Sequence, residues 1–312
     1  MNTLILINYL VFALFLTAFM IEIGVALLLL IDYKRKDKLL RYLMPIWAAD
    51  GTFGIFYVVD LEATYPSAVP LIGKLYATFL LIAGLIFIFR NAFIEYAEYI
   101  SRRSSKRAYH IVYISATAIV TFIALSLLAS TISGIGVDLN SQSIDSYALI
   151  FNPFSILLFI SGALASFFIA STIFNFGKVK LKAASIALSI LLILIGFYLY
   201  AYNIYKSLIS NPLLLILPIS IIILSIAMQA SKIRAYSKYI AILSLFISIL
   251  SIEIAEYPYI FNGSIDLNSI VIAGSEAYYL TIFFAGGIIL LAALLTIMLY
   301  FGLISRQVKL KA

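Results

Sequence analysis

Long apolar runs separated by short polar intervals recur along the whole chain. A helix needs about 20 mostly apolar residues to cross the hydrocarbon core of a bilayer. Blocks of that kind occupy residues 4–31, 42–61, 69–90, 109–133, 148–176, 183–206, 213–230, 239–260 and 277–303. The pattern predicts an all-α polytopic membrane protein with about nine transmembrane helices, short loops and no room for a soluble domain. The pattern also repeats in outline. LTAFMIEIGVALLLLIDYKRKDKLLRYLMP resembles GALASFFIASTIFNFGKVKLKAASIAL in its order of apolar and basic positions. The expected arrangement is one four-helix bundle over 1–133, a second over 148–260, and a final helix with its tail over 277–312.

The polar intervals alternate in charge, and this sets an orientation. Basic residues gather at Lys34, Arg35, Lys36, Lys38 and Arg41, then at Arg90, Arg102, Arg103, Lys106 and Arg107. They gather again at Lys178, Lys180 and Lys182, at Lys232, Arg234 and Lys238, and at Arg306, Lys309 and Lys311. Of 21 Lys and Arg residues, only Lys74 and Lys206 fall in the opposite intervals, which carry Asp138, Asp145, Asp266 and Glu276. The positive-inside rule then predicts an outside N-terminus and a cytoplasmic C-terminus, as an odd number of spans requires. The net charge of +7 is therefore read as topology and not as a nucleic-acid surface.

Composition places the chain in a lipid bilayer. Hydrophobic residues make up 64% and charged ones 11%, well below the roughly 25% of soluble domains, and mean hydropathy is +1.12. With no cysteine, the chain has no disulfide, thiolate zinc site or iron–sulfur cluster of its own. MNTLILINYLVF lacks a basic n-region and its apolar run is too long for a signal peptide, so it reads as a retained first span. Residues 91–107 read as a short interfacial helix or as the end of the third span. Residues 260–277 form the longest outer connection and hold the sequon Asn262-Gly263-Ser264, which makes Asn262 a glycosylation candidate.

Ionisable residues inside spans cost about 2.5–3.5 kcal/mol each on insertion scales and so point to function. Glu22 near the inner end of the first span and Asp50 near the inner start of the second lie at matched depth, roughly 12–14 Å from the cytoplasmic face. Antiparallel neighbours bring such depths together, so the two carboxylates are expected to face each other or share a partner as a proton relay. The bland reading is that each is neutral and hydrogen-bonded in the bundle. Glu253 and Glu256 read as a solvated outer rim. Trp47 fits an aromatic belt, and Pro45 the first turn of its span. Gly51 and Gly54 make a small-residue face, repeated in AGGIILLAALL from Ala285. His110 is the only histidine, so bis-histidine haem ligation by this chain alone is excluded, and it reads as an interfacial residue. No phosphate loop, metal-ligand spacing or nucleophile elbow is present.

Five motifs occur in order along the first hundred residues: Glu22-Ile23-Gly24-Val25, Pro45-Ile46-Trp47, Tyr65-Pro66, Phe89-Arg90 and Glu95-Tyr96. In this order the chain resembles subunit II of the cytochrome bd-type quinol oxidases. The resemblance implies a nine-span, four-plus-four-plus-one layout and a heterodimer with a haem-bearing subunit I. It implies that haems b and d and the oxidation of quinol belong to that partner, with quinone as a possible ligand and no cofactor held by this chain alone. Trp47, Gly51, Gly54 and Arg90 would then form a seam against the partner or a packing seam, with Glu22 and Asp50 assisting proton delivery. Two positions depart from the family pattern. Ala48 replaces the acidic residue that follows the tryptophan, leaving Asp50 as its substitute, and Ala26 replaces a glycine. Two other readings stay open: a membrane anchor of another quinone-linked cytochrome b complex, and a secondary transporter with a break at Pro218.

Overall fold

The computed structural model describes residues 2–97, 106–231 and 233–309, apart from the side chains of residues 44, 45, 48, 49 and 294–309. The second half of the expected interfacial helix at 91–107 lies outside these residues. The chain folds as helices α1 (Thr3–Ile31), α2 (Lys36–Thr64), α3 (Val69–Glu95), α4 (Lys106–Ser133), α5 (Ser146–Phe151) and α6 (Pro153–Ile173). They are followed by α7 (Val179–Tyr200), α8 (Tyr202–Ser210), α9 (Leu213–Gln229), α10 (Ser237–Glu256), α11 (Leu267–Ile270) and α12 (Ser275–Lys309). Two small antiparallel hairpins interrupt the helical pattern: β1 (Val137–Asp138) with β2 (Ser143–Ile144), and β3 (Tyr259–Ile260) with β4 (Ile265–Asp266).

Among the described residues, seven stretches are long and apolar enough to cross a membrane: α1, α3, α4, α5 with α6, α7, α10 and the first part of α12. α8 and α9 add an eighth as a pair bent by 80°. α2 is as long as α1 and packs along it. The expected break at Pro218 is corrected: that residue is buried inside α9, and the bend falls at Asn211-Pro212. Proline has no N–H and disfavours a helical residue before it, so Pro212 is the natural place to stop α8. The expected span at 183–206 ends at Tyr200, since Ala201 leaves helical geometry before α8 begins. α2 starts at Lys36, which places its first turn well before Pro45. Asn152 caps α6, accepting the Ser155 N–H at 2.8 Å with Pro153 in the first turn.

α1 is apolar on every side, as expected of a helix enclosed by others, and it lies at the centre. It packs against α2, α4, α6, α10 and α12. One core joins Phe19 and Ile23 of α1 to Phe168 of α6, Ile186 of α7, Ile222 of α9 and Leu245 of α10. Gly24 makes the closest approach: a Cβ there would overlap the Ser166 carbonyl and sit 2.7 Å from Ala170 Cβ. Small residues let α1 and α6 touch along their backbones. α6 and α7 are joined by a reciprocal pair, Ser161 Oγ to Ser189 O at 3.0 Å and Ser189 Oγ to Ser161 O at 2.9 Å.

The bundle has two distinct ends. One holds the basic turns at 32–35 and 230–236, and the other holds the two hairpins. The β3–β4 hairpin is tied to α4 by Phe261 N–H to Thr131 O at 2.7 Å and Asn262 N–H to Ile132 O at 3.1 Å. Coverage of the helices is uneven. Within their apolar stretches, 61% of α1 is buried by the chain itself, against 11% of α3 and 6% of α12.

Candidate functional site

Four helices converge on one buried guanidinium. α3 carries Arg90, which is fully buried, and its fork grips Glu22 of α1: Nη1 to Oε1 at 2.9 Å and Nη2 to Oε2 at 3.0 Å. Paired parallel contacts of this kind are the strong form of Arg–carboxylate bonding. α4 contributes two hydroxyls one turn apart. Tyr113 Oη donates to Glu22 Oε1 at 2.5 Å, and Thr117 Oγ1 accepts from Arg90 Nη1 at 3.2 Å while donating to the Tyr113 carbonyl at 2.8 Å. The guanidinium carbon stands 4.1 Å from the Phe87 ring centroid and 5.8 Å from those of Phe19 and Tyr113, within cation–π range.

α2 supplies the odd member. Asp50 is also fully buried, its Oδ2 lies 3.8 Å from Arg90 Nη2, and neither carboxyl oxygen has a hydrogen-bond partner. The cluster thus holds two acids and one base, with unequal satisfaction.

The hairpin end of the same helix pair holds a third buried acid. Asp60 of α2 accepts from Asn8 Nδ2 of α1 at 2.9 Å and from Thr64 Oγ1 at 3.2 Å, with neutral donors only. Glu253 is buried nearby on α10 with Oε2 unpaired, and Glu256 has Oε1 sealed from solvent. The expectation of a solvated rim is corrected for Glu253, which α10 carries inward; Glu256 is half-buried.

The remaining candidates fall in different places. Gly51 faces open space, whereas Gly54 packs against Phe15, 3.1 Å from a Cβ built there. Trp47 is half-buried. Arg90 lies inside this chain and not on its surface, because α3 runs on to Glu95 and carries it into the bundle. Lys182, expected in a basic loop, is likewise buried in α7. His110 is fully buried within the chain, with Nδ1 2.8 Å from Tyr33 Oη at the basic end. Asn262 is exposed in the β3–β4 turn at φ 53°, and its Oδ1 lies 3.5 Å from Asn203 Nδ2.

The sequence model of the family described as cytochrome bd terminal oxidase subunit II matches residues 2–304. The chain belongs to that family. Its fold is also similar to a chain in the structure of bd oxidase from Geobacillus thermodenitrificans, with a TM-score of 0.75 and 18% identity. The match covers 96% of this chain and 98% of that one. No curated protein matches the chain by sequence. As a cytochrome bd oxidase subunit II, it is a multi-pass protein of the plasma membrane and part of a respiratory oxidoreductase that includes a subunit I. Family membership selects the oxidase reading over the transporter and the other anchor.

The donors of this subunit II do not supply bis-histidine haem ligation. Haem iron of the bis-histidine kind needs two imidazoles, and the chain has one, engaged with Tyr33 inside the protein. Sequence reasoning missed Tyr113, Thr117, Asp60 and Asn8. The hydroxyl pair at 113 and 117 repeats at one-turn spacing, and Asp60 is an acid within the apolar block 42–61, so a signal existed for each.

Proposed function

We propose that this subunit II is the haem-poor mate of a haem-bearing subunit I, and that its Glu22–Arg90–Asp50 cluster handles a proton on the cytoplasmic side. One observation carries this reading: Arg90 is engaged bidentately by Glu22, while both oxygens of buried Asp50 lack donors. An isolated charge in such surroundings is costly, so two carboxylates beside one guanidinium are balanced when the site holds one proton. Glu22, held by two guanidinium contacts and the Tyr113 hydroxyl, is fixed as the anion. Asp50 is the carboxyl that takes and gives up the proton. Glu22 and Arg90 serve as its electrostatic frame.

Packing against subunit I is supported by the bare helices. Helical glycines Gly51 of α2, Gly73 and Gly84 of α3, and Gly286 of α12 have nothing within 4 Å of a built Cβ. Gly24, Gly54, Gly162, Gly196 and Gly287 all meet neighbours inside the chain. Small residues admit a partner helix closely, so the α2–α3–α12 face is the seam. Haems and quinol chemistry belong to the partner, with the quinone pool and lipid as surroundings.

The test is turnover per haem set against yield of the assembled oxidase. Asp50→Asn keeps the shape and removes the exchangeable proton, so quinol-driven oxygen reduction per haem should fall with yield preserved. Glu22→Gln removes the partner of a buried guanidinium and should lower yield first. Full turnover in Asp50→Asn would reduce the cluster to a packing device.

A further inference from the structure

At the hairpin end, away from the ion cluster, the helix break at Ala201 opens a cavity of about 230 Å³ between α8, the end of α10 and the β3–β4 turn. Liquid water takes about 30 Å³ per molecule, so the space suits a group of several heavy atoms. Its polar lining is Glu256, Asn203, Ser207 and Asn262, with Tyr257 and Tyr259 beside them. Glu256 puts a carboxyl group on this wall, and its Oε1 is sealed from solvent without a hydrogen-bond partner. It also sits on the last residue of α10, where carbonyls without helical partners add partial negative charge. Among the described residues no Lys or Arg pairs with it: the three ion pairs of the chain lie elsewhere, and Lys206 on α8 is exposed. Gly263 leaves room at the mouth, where a Cβ would stand 3.7 Å from Asn203 Nδ2.

A carboxyl, a hydroxyl and two side-chain amides, one donating to the other at 3.5 Å, line this volume and can accept from a cationic donor. Tyr198, Tyr202 and Tyr205 form a ring cluster beside the break, and Tyr198 and Tyr202 are exposed. Tyrosines of this kind mark the headgroup level of a bilayer. We propose that the cavity is a binding site for an organic ammonium group, with Glu256 taking its charge and Asn203, Ser207 and Asn262 accepting its remaining N–H bonds. The ammonium arrives as a soluble amine or as the headgroup of an aminolipid.

The experiment uses the assembled oxidase in nanodiscs of phosphatidylglycerol alone, with thermal melting as the readout. Ethanolamine is titrated in one arm, and phosphatidylethanolamine replaces part of the lipid in the other. A ligand that binds only the folded state raises the melting temperature with concentration. A rise with ethanolamine identifies a site open to soluble amines; a rise with phosphatidylethanolamine alone identifies a headgroup site. In either case Glu256→Gln should weaken the response at least about tenfold, as the loss of a charge-assisted bond implies. Ser207→Phe, which fills the cavity and leaves Glu256 in place, should abolish it, and this variant carries the test if Glu256→Gln does not assemble. No rise in either arm, an equal rise with glycerol, or an unchanged response in the variants would overturn the proposal.

Discussion

The two ends of the α1–α2 pair each bury an acid, and they satisfy it by opposite means. At the basic end Glu22 is held by the Arg90 guanidinium and the Tyr113 hydroxyl, with Asp50 left over 3.8 Å from the same base. At the hairpin end Asp60 relies on the amide of Asn8 and the hydroxyl of Thr64. Neutral donors satisfy one carboxyl without fixing its charge. A guanidinium demands a charged partner, and once Glu22 has met that demand a second acid nearby is free to change state. On the proposed reading, the difference separates a structural acid from a proton-exchanging one.

Orientation is the broadest way to break this comparison, because it decides which end meets the cytoplasm. A cysteine at Ser141 in the β1–β2 hairpin should react with an impermeant thiol reagent from outside in intact cells, and one at Ser231 only after the membrane is opened. The reverse pattern would move the Glu22–Arg90–Asp50 cluster to the outer side. Within the bundle, the largest effect is expected for Arg90→Leu. It strands two buried carboxyls and should cost about 3–5 kcal/mol, read as lost yield and a lowered melting temperature of the complex. Glu22→Leu combined with Arg90→Leu should recover part of that loss, because a buried pair replaced whole by apolar groups is tolerated better than one broken. At the other end Asn8→Ala leaves Asp60 with Thr64 as its donor. The expected cost is smaller, about 1–3 kcal/mol, with turnover per haem unchanged.

The sequence shows the helices because a bilayer demands long apolar runs, and it shows Glu22 and Asp50 because acids stand out within them. It hides Arg90. That residue lies at the last position of the apolar block 69–90, close to other basic residues, and only the continuation of α3 to Glu95 reveals it as interior. Lys182 was misread for the same reason: the end of a hydrophobic run is not the end of a helix. Tyr113 and Thr117 are ordinary residues in a membrane helix until packing aims them at one carboxylate. The bend at Asn211-Pro212 is legible in principle, since proline ends helices, whereas α9 absorbs the more central Pro218 without a break. The burial of Glu253 depends on how α10 packs into the bundle, a tertiary fact with no local signature.

The central claim is that Asp50 carries the exchangeable proton while Glu22 stays ionised against Arg90. Infrared difference spectroscopy of the assembled oxidase, recorded between its reduced and oxidised states, reports protonated carboxyl groups directly. A carboxyl band that is present in the unmodified protein, shifts when aspartate carboxyls alone carry a heavy carbon isotope, and is lost in Asp50→Asn is the predicted result. A band that survives Asp50→Asn and disappears with Glu22→Gln would contradict the account.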